Sequence, residues 1–181
     1  MSKFKLLQGG KTDHVLVKGT SITVIPDTTH PIPVDIRVFE EDTHLVLTVD
    51  PVMRYTEEHP IRLLNSLSQG KTGKPGTIVV NGASWYAVVH DLDAEKTCCP
   101  EWVAEAYREL LILAGRKKIR RIGIPLLGSV HGDMPSSESL QLILECLSTY
   151  QTGMLMLKNI AIIVKPDLVS STKTMLAQIV Q

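Results

Sequence analysis

Between residues 122 and 144 the chain reads IGIPLLGSVHGDMPSSESLQLIL: an apolar run ending in proline, a short stretch with two glycines, then a helical pattern. Glycines let backbone N–H groups approach an anion closely, and the free N–H groups and dipole at the start of the next helix favour negative charge. The chemistry on offer is the gripping of a phosphate, with Gly128, Ser129, Val130, His131 and Gly132 as ligand contacts. Turn-forming glycines would give the same letters, since the pair fits neither GxxxxGK[ST] nor GxGxxG. His131 is a candidate phosphate donor or general acid, set against an ordinary exposed loop histidine. Ser129 would bond a phosphate or close the turn, and Asp133 would cap the following helix. Asp50 ends another β-like run and is the second candidate catalytic residue, its alternative being a turn before Pro51.

Other reactive residues carry weaker signals. Cys98 and Cys99 precede a helix whose N-terminus would lower a thiol pKa, but no partner histidine or asparagine is placed by the sequence. The six histidines are scattered singly and no CxxC or HExxH spacing occurs, so nothing calls for a metal. Arg116, Lys117, Lys118, Arg120 and Arg121 form a basic run where a helix gives way to a strand, a place where cations complement the helix C-terminus.

The elements that must position these residues follow from periodicity. The first fifty residues read as short strands, FKLLQ, HVLVK, SITVI, DIRVF and HLVLTV, separated by Gly, Pro, Asp and Thr clusters. Residues 60–67 are expected to form a short helix with proline in its first turn, ending before the loop QGKTGKPG. Strands TIVVNG and WYAVVHD come next, then a helix over 100–117 with Val103, Ala106, Tyr107, Leu110, Leu111 and Ala114 on one face. IRRIGIP is a strand, residues 135–150 a helix facing inward through Leu140, Ile143, Leu144 and Leu147, and NIAIIVK a strand apolar on both faces. A last helix carries Met175, Leu176, Ile179 and Val180. Strands alternating with helices predict a three-layer α/β/α sandwich with a mixed, mostly parallel sheet, and in such a sheet ligands sit at the carboxyl ends of the strands.

Composition bounds the rest. A chain of 181 residues with 44% apolar and 21% charged residues has the make-up of a globular domain, and one domain over 1–181 is expected. Zero formal net charge argues against a field that steers the protein to nucleic acid or to a membrane surface. No apolar run reaches the roughly 18 residues of a membrane span, and the N-terminus lacks the apolar core of a secretory signal. Three cysteines, two of them adjacent, suit a reducing compartment and a cytoplasmic location. The pattern leaves the oligomeric state open.

The segment 122–144 resembles the second phosphate-gripping loop of macro domains, the family that holds ADP-ribose. Upstream, GTIVVNGASWYAVVHDLD resembles the family's paired strands, with His90 closing the second. AYRELLILAGRKKIRRIGIP resembles its Tyr-containing helix and the run into the next strand. Together the match spans about residues 76–148. VKGTSITVIP is similar to the family's opening strand, which reads Gly-Asp-Ile-Thr. Thr20 and Ser21 stand where the adenine-reading Asp is expected, which makes Ser21 a ligand contact. The family ends a central strand with Asn-Ala-Ala-Asn and a glycine-rich loop. LVLTVDPVMRYTEEHPIRLL stands near that place here, with Thr48, Val49, Asp50 and Pro51. IIVKPDL lacks the aromatic that follows the family's last strand and stacks on adenine.

The resemblance implies a domain that binds ADP-ribose or a related nucleotide diphosphate through the glycine-containing loop. It implies binding without turnover, because the asparagine and first glycine loop that position the distal ribose and a water are missing. A small-molecule nucleotide is the implied partner, with no cofactor and no metal. Two alternatives stay open: a hydrolase acting on ADP-ribosylated or phosphorylated substrates through Asp50 or His131, and an interaction module that kept the fold after losing its ligand.

Overall fold

Val15 and Val17, Ile22 and Val24, and Ile36 and Val38 are buried while their neighbours are half-exposed, the period-two pattern of strands with one face on a core. The computed structural model describes residues 5–7, 14–48, 73–149 and 156–180. Within them these residues build β2 (His14–Val17), β3 (Thr20–Pro26) and β4 (Ile36–Asp42), preceded by β1 (Lys5–Leu7). The later strands are β5 (Thr77–Asn81), β6 (Ser84–His90), β7 (Arg121–Ile124) and β8 (Asn159–Val164). All eight join one sheet in the order β1-β2-β3-β8-β7-β4-β6-β5. The pairings from β3 through β8, β7 and β4 to β6 are parallel, and antiparallel pairs flank them at both edges. The carboxyl ends of five strands therefore lie along one edge.

Three helices are described: α1 (Pro100–Arg116), α2 (Ser136–Thr149) and α3 (Val169–Ile179). Proline opens α1, where a missing N–H costs nothing, and Glu101 and Arg116 sit at the ends that suit their charges. Its buried face is the one the period predicts, Val103 through Ala114, and it packs on β5, β6 and α2. The next helix, α2, buries Leu140, Ile143, Leu144 and Leu147 and also touches α3, which lies on β3. The basic run has a structural use. Lys118 takes a φ of 56° as the chain leaves α1, and Arg121 pairs with Asp35 at 2.8 Å.

Among the described residues one expected strand is absent. HLVLTV reads as β, yet residues 43–48 are turn and irregular chain, because side-chain carboxylates take the N–H groups that a ladder would use. The expected helix at 60–67 and the candidate Asp50 lie outside the described residues. No helix among the described residues is long and apolar enough to cross a membrane.

Candidate functional site

Strand β4 ends in three consecutive acids, Glu40, Glu41 and Asp42, none more than 2% exposed. Alternation along the strand sends Glu40 and Glu41 to opposite faces, and a register shift against β6 between Glu41 and Asp42 turns the last side chain inward. Burying three carboxylates is costly unless donors surround them. The chain supplies those donors from its own backbone. Glu41 accepts the N–H groups of Leu47 at 2.9 Å and Thr48 at 2.7 Å, and Asp42 accepts those of His44 and Val46.

Glu40 reaches the loop after β7. Its Oε2 accepts the N–H of Gly128 at 2.8 Å and, at 3.4 Å, that of Val130; its Oε1 accepts the N–H of His131 at 2.9 Å. His90, at the end of β6, completes the set, its Nε2 donating to Oε1 at 2.6 Å. The loop N–H groups expected to grip a phosphate thus converge on a carboxylate of the protein itself.

Both loop glycines are explained by the same packing. Gly128 has a φ of 82°, and a Cβ there would meet Met134 Sδ at 3.0 Å; a Cβ on Gly132 would lie 2.7 Å from the Gly128 carbonyl oxygen. The hydroxyl of Ser129 donates to the Leu126 carbonyl at 2.8 Å, closing the turn. Behind the loop, the buried Tyr107 hydroxyl accepts the Leu127 N–H at 2.9 Å and bonds Ser139 Oγ at 2.8 Å. Burial pushes that phenol well above its ordinary range. Cys98 lies on the loop's other side, its Cβ 3.5 Å from where a Cβ on Gly132 would stand. Its thiol is pushed up to about 12, first by burial and then by the charge of Glu40. The helix N-terminus was expected to lower a thiol pKa here, but desolvation wins, and Cys99 is raised for the same reason.

At Glu40 a cleft of about 420 Å³ opens between the ends of β3 and β8, the stretch Arg37–Glu40 of β4 and the loop after β7. Its walls include Asp27, Arg37, Phe39, Ser129, His131, Ile163, Lys165 and Leu168. The Arg37 guanidinium lies 5.1 Å from the centroid of the Phe39 ring, and Phe39 stacks on Tyr86 at 5.7 Å. The cleft therefore offers two acids, Asp27 and the buried Glu40, two cations and an apolar bed.

No family model matches the sequence, and no curated protein does so either. Structures do match. The Oceanobacillus iheyensis macrodomain with ADP superposes with a TM-score of 0.69 at 13% identity, covering 99% of this chain and 98% of that one. The fold is that of a macrodomain. The Thermus aquaticus DarG macrodomain gives 0.57 at 18% identity over 82% of this chain and all of its own, and the Trypanosoma brucei macrodomain in complex with ADP gives 0.59 at 16% over 85% and 68%.

Within the macrodomain fold several sequence expectations move. Ser21, expected as a ligand contact, pairs with Asn159 at the amino end of β8, whereas the cleft involves Ile163 to Lys165 at the carboxyl end. At about 3.3 Å per residue it stands roughly 20 Å along the strand from Asp27. Thr20 is buried and its hydroxyl donates to the Leu157 carbonyl at 3.1 Å. Asp27, one residue past Pro26 at the carboxyl end of this strand, is the acid that reaches the cleft wall from β3. The central strand expected to end near Thr48 ends instead at Glu40, Glu41 and Asp42. Ser129, Val130 and His131 do line the cleft, and the His131 side chain is exposed. Asp133 stands ahead of α2 by two residues too many to cap it.

Proposed function

We propose that this chain binds an adenine nucleotide, the ligand class to which ADP-ribose belongs, in the cleft at the carboxyl edge and releases it unchanged. The observation that carries the reading is the set Asp27, Arg37 and Lys165 on the walls of one cleft floored by apolar side chains. A carboxylate accepts from an exocyclic amine, so Asp27 would read the adenine amino group. Arg37 and Lys165 would meet phosphate, Arg37 with a fork already oriented over Phe39. Leu168 and Ile163 would bed the base in place of the missing aromatic. The ADP complexes of the Oceanobacillus and Trypanosoma macrodomains support the same ligand class. Against turnover stands the engagement of the Glu40 and Glu41 oxygens by backbone N–H groups, which occupies them as acceptors.

The test is calorimetric titration of AMP and ADP-ribose into wild type, Asp27→Ala and Arg37→Ala, with chromatography of the ligand afterwards. Wild type should bind at least one of the two nucleotides, each substitution should weaken binding about tenfold, or about 1.4 kcal/mol, and the ligand should be recovered intact. No heat from wild type with either nucleotide would remove the reading and leave the interaction module. Appearance of product would replace it with the hydrolase.

A further inference from the structure

Resting on that nucleotide reading, we infer that Glu40 is a built-in anion that decides which nucleotides the cleft accepts: it fills the phosphate position of the loop and so selects ligands with a single phosphate berth, at Arg37 and Lys165. A carboxylate and a phosphate ask the same thing of such a loop, convergent N–H donors facing two oxygens. Here Gly128, Val130, His131 and His90 all donate to one buried carboxylate. A second anion brought against the same donors meets like charge in a place where water screens little.

Nor is Glu40 free to step aside. It lies inside β4, in register with Ala87 of β6, and its exit would leave the loop N–H groups and His90 without an acceptor. The remaining cations of the cleft, Arg37 and Lys165, come from elements other than that loop, from β4 and from just beyond β8. One berth suits a nucleoside monophosphate. A ligand with two linked phosphates and a second sugar needs the loop as well, and Glu40 holds it.

The experiment follows the Gly128, Val130 and His131 amides of ¹⁵N-labelled wild type by NMR during titration with AMP and with ADP-ribose, and repeats the affinities with Glu40→Gln and Glu40→Ala. The inference expects wild type to prefer AMP by about tenfold or more, with the three loop amides unmoved, and expects ADP-ribose affinity to rise about tenfold or more in the variants. ADP-ribose binding wild type as tightly as AMP while shifting those amides overturns it, even if neither variant folds.

Inorganic pyrophosphate separates this inference from the nucleotide reading. If wild type binds neither nucleotide, that reading falls, and the role of Glu40 is read from thermal unfolding with pyrophosphate. Stabilisation of Glu40→Gln or Glu40→Ala but not of wild type sustains the built-in anion. Equal shifts, or none in any protein, overturn it.

Discussion

Asp35, just ahead of β4, and Glu40, near its far end, each collect four hydrogen bonds. Asp35 takes the N–H groups of Arg120 and Arg121 at 3.0 and 2.9 Å and the Arg121 Nε and Nη2 at 3.1 and 2.8 Å. Glu40 takes three N–H groups from the loop after β7 and the His90 ring. Both carboxylates thus tie β4 to the β7 region, one at each end of the strand. They differ in solvent. The Asp35 and Arg121 side chains are 31% and 50% exposed, whereas Glu40 and His90 are 1% and 2% exposed. At the wet end water competes for every partner and an ion pair is worth little. At the dry end nothing replaces a lost partner, so the same number of bonds becomes a fixed feature of the site.

The largest effect expected from this contrast is in stability. Glu40→Ala should lose about 3–5 kcal/mol, because it strips a buried carboxylate from the three loop N–H groups and the His90 ring that share it. Asp35→Ala should lose about 1 kcal/mol or less, despite removing as many bonds. Urea unfolding of both variants checks the ranking, and equal losses would mean that burial is not what distinguishes the two ends.

A smaller effect sharpens the comparison on the dry side alone. Tyr107 holds the loop from behind without a charge, its phenol kept neutral by burial. Tyr107→Phe strands the buried Leu127 N–H and should lose about 1–3 kcal/mol. A loss in urea unfolding as large as that of Glu40→Ala would say that stranded N–H groups, rather than the buried carboxylate, account for the dry end.

The same contrast explains what the sequence could and could not reveal. The buried faces of α1 and α2 were legible because a helix repeats its apolar signal over several turns, and both predicted faces are buried in full. The parallel centre of the sheet was legible from strand–helix alternation and from the all-apolar run of β8. HLVLTV was misread because its alternation is that of a strand, while its N–H groups are taken by Glu41 and Asp42, a tertiary capture that no local pattern records. Glu40 could not be found at all: its loop partners lie 88 to 91 residues away, and three acids in a row suggest solvent rather than core. Asp27 was within reach. It follows a strand that ends in Pro26, and in a parallel sheet the carboxyl end of a strand, where Asp27 stands and Ser21 does not, is the end that carries the cleft.

The smallest expected effect lies at the wet end and depends on pH. The hydrogen bond from the Arg121 side chain, against a lesser opposing effect of desolvation, holds the Asp35 carboxyl below its ordinary value of 3.8. A carboxyl whose pKa falls on folding adds stability that is fully present above its unfolded pKa and is lost as pH drops through the folded value. Wild type and Asp35→Asn should therefore separate above about pH 4 and converge below it, since only the ionised form benefits from Arg121. The gap should stay under about 1 kcal/mol, because both side chains meet solvent. Urea unfolding of the two proteins across the acid range measures it. A gap that exceeds the Glu40→Ala loss would reverse the order of the two ends and put the stronger clamp of β4 on the exposed side.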